Sequence, residues 1–249
     1  MPEFPLLIAH RGESFDAPEN TLAAFQLAWD RGIPAVELDV HVTSDGHAVV
    51  CHDEDTERTG GVKLVIKDRS LAVLRAIDVG AWKSPAFAGQ VIPTLAEVFQ
   101  GIPAGRCVFV EIKPGVEAVS AVAKVVNAGD WSAIEIRFMS FSADVVAELK
   151  RQLPKYGRYW LIEPEQDKQG RWSPTPAEIA QTALAAGATG VDVGDGAWLT
   201  AEAVGVFRDA KLDVVVWTVD DPERCKVLAG LGVSGITTNR AAWIRDQIS

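Results

Sequence analysis

An α/β fold, a (β/α)8 TIM barrel with a small insertion after its second strand, is what this sequence predicts. Three observations carry the prediction. Short apolar runs rich in β-branched residues alternate with amphipathic helical patterns, eight times along the chain. The runs are apolar on both faces, as the strands of a parallel sheet covered by helices must be. Finally, 249 residues shared among eight units leave about 31 per unit, the size of one βα repeat in such a barrel. An open doubly wound sheet is the competing architecture, but no G-x-G-x-x-G turn follows the first strand. With 48% hydrophobic residues the chain has material for a sizeable core, and residues 1–249 read as a single domain.

The first strand is the run at 6–10, Leu-Leu-Ile-Ala-His. Behind it a helix over 20–31 repeats apolar residues at helical spacing, with Asn20 read as its N-cap. The second strand spans 35–41. Asp45-Gly46 then makes a tight turn, and 47–52 runs back as a short strand. Residues 53–92 break the rhythm: Gly60-Gly61, a small helix near 71–77, Pro85, and Pro93 just beyond. That is too long for an ordinary βα loop, and it reads as an insertion over the barrel mouth, too small for a core of its own. Thereafter strands at 107–113, 134–140, 158–162, 189–193, 214–219 and 235–238 alternate with helices. The helices lie at 94–100, 116–128, 142–153, 176–186, 200–210, 222–231 and 241–248. Thr94, Ser142 and Thr200 are natural caps, and Ala-Gly and Leu-Gly pairs close several helices. A second polar loop, over 163–175, follows the fifth strand and is expected to be mobile.

A net charge of −10 and a pI near 4.9 argue against a nucleic-acid partner, which needs a basic face. Small phosphorylated ligands stay open, because a few local cations overcome an acidic average. Cys51, Cys107 and Cys225 form no CxxC pair and read as buried free thiols. No basic leader precedes the short apolar stretch at the N-terminus, and no apolar run approaches the ~18 residues of a membrane span. The expectation is a cytoplasmic protein with no stable membrane association. Nothing in the sequence sets its oligomeric state.

All four histidines, His10, His41, His47 and His52, fall within the first 52 residues. Histidine is the side chain best suited to proton transfer at neutral pH, and His10 ends a strand at the face where barrels of this kind keep their active sites. Glu37 and Asp39, two residues apart on one strand, point to the same side, while Val36, Leu38 and Val40 point toward the helices. Two inward carboxylates are expensive, and a divalent cation makes them tolerable. Glu111, on the next strand, offers a third oxygen ligand, and this hard donor set favours Mg²⁺ or Ca²⁺ over zinc. Lys113 shares the face of Glu111; a lysine–carboxylate ion pair filling the barrel is the competing reading. His41 has ligand parity but lies at the rim, and His47 sits beside the turn in solvent. His52 closes an apolar run and is followed by Asp53, which can orient its ring. Arg11 and Lys113 are the cations best placed for a phosphate.

These residues carry a resemblance. His10-Arg11-Gly12, Pro18-Glu19-Asn20-Thr21, Glu37-Leu38-Asp39-Val40, Thr43-Ser44-Asp45-Gly46, His52-Asp53 and Arg58-Thr59 resemble the signature of glycerophosphodiester phosphodiesterases. Glu111-Ile112-Lys113, Trp217-Thr218-Val219 and Gly235-Ile236-Thr237-Thr238 continue it in order. The resemblance implies a (β/α)8 barrel and metal-dependent hydrolysis of a small-molecule glycerophosphodiester. It implies His10 and His52 as general acid and base, in unassigned order, and Glu37, Asp39 and Glu111 as ligands of a divalent cation, Mg²⁺ or Ca²⁺. Arg11 and Lys113 would hold the phosphate, and Trp217 would contact the substrate. The last strand departs from the family's Thr-Asp ending: Asn239 and Arg240 follow Thr238, a change expected at the rim and away from the histidine pair. Glu19 reads as a neighbour of the site. A phospholipase-type barrel acting on membrane lipid would need an apolar or basic docking surface. A non-catalytic phosphodiester sensor would lack one of the five residues His10, His52, Glu37, Asp39 or Glu111, and all are present.

Overall fold

The structure, a computed structural model, describes residues 4–248. Its strands are β1 (Leu6–Ala9), β2 (Ala35–Val42), β3 (Ala48–Val50), β4 (Cys107–Ile112), β5 (Glu135–Ser140) and β6 (Gly157–Ile162). They continue with β7 (Glu165–Gln166), β8 (Trp172–Ser173), β9 (Gly190–Gly194), β10 (Asp213–Trp217) and β11 (Gly235–Thr238). Eight of these run parallel in the order β1-β2-β4-β5-β6-β9-β10-β11, and β1 pairs with both β2 and β11. The sheet is therefore a closed barrel, and the open doubly wound alternative is excluded.

Alternation along each strand divides the core. Ile8, Ala35, Cys107, Phe109, Met139, Tyr159, Leu161 and Val215 pack inside the barrel. Val36, Leu38, Val40, Val108, Val110 and Phe138 join the layer that holds the surrounding helices. A matching layer on the other flank uses Val191, Val193, Val214, Val216 and Ile236. Because both faces of the strands are buried, any polar residue of inward parity is committed to the barrel interior.

The helix over Leu22–Asp30 is capped by Thr21, whose side chain accepts from the Ala24 N–H; Asn20 is not its cap, contrary to the sequence expectation. Thr94 and Thr175 each form reciprocal capping boxes with the glutamate three residues on. After the Asp45-Gly46 turn, β3 lies antiparallel on β2. The insertion that follows has a small cluster of its own: Ile66, Leu74, Ile77, Val79 and Ile92 pack on Val49 and Cys51. Sequence reasoning denied it a core because it counted only the inserted residues, whereas β3 and the residue after it supply Val49 and Cys51. The polar loop after β6 contains the antiparallel β7–β8 ribbon. The three cysteines are free and buried. No described helix is long and apolar enough to cross a membrane.

Phe138 is fully buried between β5 and its helices. Phe138→Ala is expected to cost about 3–5 kcal/mol in urea unfolding through lost burial and a cavity; a loss under about 1 kcal/mol would contradict this packing.

Candidate active site

The turn after β1 is set by Gly12. It adopts φ +79°, and a Cβ there would stand 2.6 Å from the backbone carbon of Ala24. Arg11 precedes it at φ +55°, a conformation costly for a residue with a side chain. Something must hold it there. The Arg11 N–H donates to Glu37 Oε2 at 2.9 Å, while the guanidinium donates to Glu19 Oε1 at 2.9 Å and stands 3.2 Å from Asp39 Oδ2.

Glu37, Asp39 and Glu111 converge inside the barrel. Asp39 lies opposite Glu111 in the β2–β4 register, and one oxygen from each of the three falls within 4.8 Å of the others. All three are buried. Burial, then the charge of Asp39, pushes Glu37 well above the usual carboxylate range and Glu111 up to about 7. Burial acts on Asp39 in the same direction, but Lys113 and Arg11 outweigh it and hold it far below. Lys113 Nζ stands 3.0 Å from Glu111 Oε1 and 3.2 Å from Asp39 Oδ1. Glu37 Oε1 is buried with no hydrogen-bond partner among the described residues. Two cations thus serve three carboxylates, Glu37 Oε1 meets neither of them, and the donor set is all hard oxygen. These residues fit a divalent cation of the Mg²⁺ or Ca²⁺ type.

The two histidines have locked tautomers. Asn239 Nδ2 donates to Asp220 Oδ2 at 2.7 Å, which turns Oδ1 of the amide toward His10. An amide oxygen only accepts, so His10 Nδ1 carries the proton across the 2.7 Å contact and Nε2 keeps its lone pair. Burial and then Arg11 lower the pKa of His10 to about 4, so the ring is neutral. The expectation that the Asn239 departure leaves the histidine pair untouched is therefore wrong: the contact spans 229 residues of sequence. His52 Nδ1 donates to Asp53 Oδ1 at 2.7 Å, and its carbonyl accepts from His41 Nε2 at 3.1 Å. His41 is a half-buried support of the His52 loop and stands outside the acidic cluster. His47 is half-exposed beside Asp45.

A continuous polar chain ties the insertion to the barrel. Asp53 accepts from Arg58 Nε at 2.6 Å, and Arg58 in turn donates two bonds to Glu19, the residue that also holds Arg11. Asn20, in a left-handed conformation, donates to Asp39 Oδ2 at 2.8 Å. Sequence reasoning took Asn20 for a cap and left Arg58 without a role. A cavity of about 210 Å³ is lined by His10, Arg11, Glu37, His52, Glu111 and Lys113, with Trp217 on its apolar side. The Trp217 ring packs edge-on against Phe141 at 5.7 Å. Every predicted site residue thus faces one cavity except Asp39, which sits behind Lys113 and Arg11.

Residues 10–242 match the model of the Glycerophosphoryl diester phosphodiesterase family. The chain belongs to that family. Glycerophosphoryl diester phosphodiesterases are phosphoric diester hydrolases, and this one is therefore an enzyme of that class. A glycerophosphodiester phosphodiesterase of Caldanaerobacter subterraneus subsp. tengcongensis is 39% identical over 168 residues, 64% of this chain and 69% of its own. YhdW of Bacillus subtilis is 31% identical over 242 residues, covering 94% of this chain and 93% of its own. Among solved structures, an Oleispira antarctica phosphodiesterase in complex with the product sn-glycerol-3-phosphate superposes with a TM-score of 0.87. It is 26% identical, over 98% of this chain and 97% of that one. The Thermotoga maritima glycerophosphodiester phosphodiesterase gives a TM-score of 0.78 at 26% identity, over 99% and 100%.

Glu111 stands at about 7 against an ordinary 4.5, so the stability it contributes is complete below 4.5 and lost as pH rises through 7. A cation on the carboxylates removes that loss. Adding Mg²⁺ or Ca²⁺ is expected to raise the melting temperature more at about pH 8 than at about pH 5.5, and Asp39→Asn to abolish the rise. An equal rise at both, or one that survives Asp39→Asn, would place the cation elsewhere.

Proposed function

We propose that this phosphodiesterase hydrolyses glycerophosphodiesters to glycerol 3-phosphate and an alcohol, with His10 and His52 as base and acid. One observation carries the reading. Two imidazoles, each fixed at Nδ1 by an oxygen acceptor, flank a buried acidic trio with Arg11 and Lys113 beside it. The sn-glycerol-3-phosphate bound by the Oleispira antarctica relative supports the substrate class.

Glu37, Asp39 and Glu111 would hold a divalent cation, which when bound supplies Lewis-acid charge to the phosphoryl oxygens. Arg11 and Lys113 add positive charge on the cavity wall, and a phosphodiester anion repels its attacker until that charge is present. Neutral His10, with its Nε2 lone pair free, takes the proton of the attacking hydroxyl as its oxygen bonds to phosphorus. His52 acts as the doubly protonated imidazolium: Nδ1–H stays on Asp53, which holds the ring and stabilises the cation, and the second proton, on Nε2, passes to the departing alkoxide as the other P–O bond breaks. The assignment of His52 to the leaving group is supported by its position. It lines both the catalytic cavity and an adjoining groove of about 710 Å³ that also involves His41, Glu54, Lys67 and Glu117. The alcohol thus has a path outward past His52. The acidic average of the chain, net −10, supports a cytoplasmic enzyme acting on free small molecules rather than on anionic lipid surfaces.

The test is release of glycerol 3-phosphate from several glycerophosphodiesters, with and without chelator. Activity should vanish on chelation and return with Mg²⁺ or Ca²⁺; full turnover by metal-free enzyme would refute the cation's part. His10→Ala and His52→Ala should each lower kcat by roughly 10²–10⁴, and His47→Ala should leave it within about threefold. Folded His10 and His52 variants with near wild-type rates would remove both from the chemistry. Lys113→Met should melt near wild type when metal-loaded yet lose at least about tenfold in kcat/KM. The opposite pattern would make Lys113 a structural counter-ion.

A further inference from the structure

Deep in the catalytic cavity, three strands round the barrel from β4, the inner face of β9 carries Asp192. Its side chain is 1% exposed, and Oδ1 is buried with no hydrogen-bond partner among the described residues. Protein interiors seldom hold such an atom without a use for it. Met139, Phe141, Leu161 and Trp217 supply the apolar part of the cavity's lining, with Thr237, and Leu161 and Val215 flank Asp192 in the sheet register. The Trp217 indole donates to the Asp192 carbonyl at 3.3 Å, which keys the aromatic wall to this residue. Among the described residues no Lys, Arg or His forms an ion pair with the carboxyl, which sets it apart from the carboxylates that Arg11 and Lys113 hold. Burial, followed by the charge of Glu111, pushes its pKa well above the ordinary value, which favours a neutral acid that both donates and accepts.

The chemistry of such a pocket selects its occupant. A phosphoryl oxygen belongs with Arg11 and Lys113, and an ammonium would find no fixed charge among Met139, Leu161 and Trp217. A small neutral group bearing hydroxyls matches both the apolar wall and the single carboxyl. A volume of about 210 Å³ takes a three-carbon polyol next to the phosphoryl group, whereas the larger groove past His52 suits an alcohol of variable size.

We propose that Asp192 is the specificity residue for the glycerol arm: its carboxyl hydrogen-bonds a glycerol hydroxyl and seats the arm against Met139, Leu161 and Trp217. This rests on the glycerophosphodiester reading above. Binding to a site built around a hydroxyl should fall sharply for an analogue that lacks it.

Calorimetry with Mg²⁺ or Ca²⁺ present in every arm tests the proposal on binding, apart from turnover. Wild type is expected to bind sn-glycerol 3-phosphate at least about tenfold tighter than n-propyl phosphate. Asp192→Leu should erase that preference while leaving n-propyl phosphate within about threefold. Asp192→Asn, which still donates and accepts, should keep it. The Leu variant should melt at or above wild type, since it removes an unpartnered buried polar group. A preference that survives in Asp192→Leu overturns the assignment, and so does a wild type with no preference, whether or not the variant folds. Equal weakening of both ligands in Asp192→Leu also overturns it, by making Asp192 a structural support. An enzyme that turns over no glycerophosphodiester yet shows the Asp192-dependent preference would refute the proposed activity and uphold this subsite.

Discussion

Three carboxylates buried on the inner face of two adjacent strands are the constraint around which this molecule is arranged. Two of them cannot ionise side by side in a dry interior without compensation. Compensation arrives from one side by Arg11 and from the other by Lys113. The left-handed Arg11 backbone, the obligatory Gly12 behind it and the left-handed Asn20 all follow from aiming donors at Glu37 and Asp39. Glu19 and Arg58 extend the same network to Asp53, so the ring that Asp53 holds is anchored through charge to the acidic trio.

The barrel makes this possible through parity. Phe109, Tyr159 and Val215 take inward positions and pack together inside the barrel. The same alternation presents Glu37, Asp39, Glu111 and Asp192 to the interior, with Glu37 opposite Phe109, Asp39 opposite Glu111 and Asp192 opposite Val215 in register. The β2–β3 hairpin then returns the chain so that the Cys51 N–H meets the Asp39 carbonyl at 3.0 Å, which brings His52 over the acidic cluster. The insertion's small core holds that hairpin down. His10 and His52 thus reach one cavity from different supports: a strand end clamped by Asn239, and a hairpin arm clamped by Asp53.

Much of this was legible in the sequence, for local reasons. The two-residue spacing of Glu37 and Asp39 fixes a shared face once the strand is recognised, and Glu111 with Lys113 repeats it next door. Asp53 follows His52 directly, so its partner could be guessed. What escaped is non-local or ambiguous. Asn20 precedes a helix and looks like a cap, yet Thr21 performs that task and Asn20 is spent on Asp39. Asn239 meets His10 only because β11 pairs with β1 when the barrel closes. Asp192 sits in Gly-Val-Asp-Val-Gly, a strand whose pattern says inward but whose sequence neighbours name no partner. The β7–β8 ribbon is two residues per strand, below the length at which alternation signals anything.

If charge balance at the acidic trio organises the site, binding a cation there must displace protons. Titrating metal-free enzyme with Mg²⁺ or Ca²⁺ by calorimetry near pH 7, in two buffers of different ionisation enthalpy, counts them. With Glu37 held well above the usual range and Glu111 at about 7, a single cation should bind with net proton release, and Glu37→Gln should reduce that release. Binding without proton release, or release unchanged in Glu37→Gln, would contradict the account.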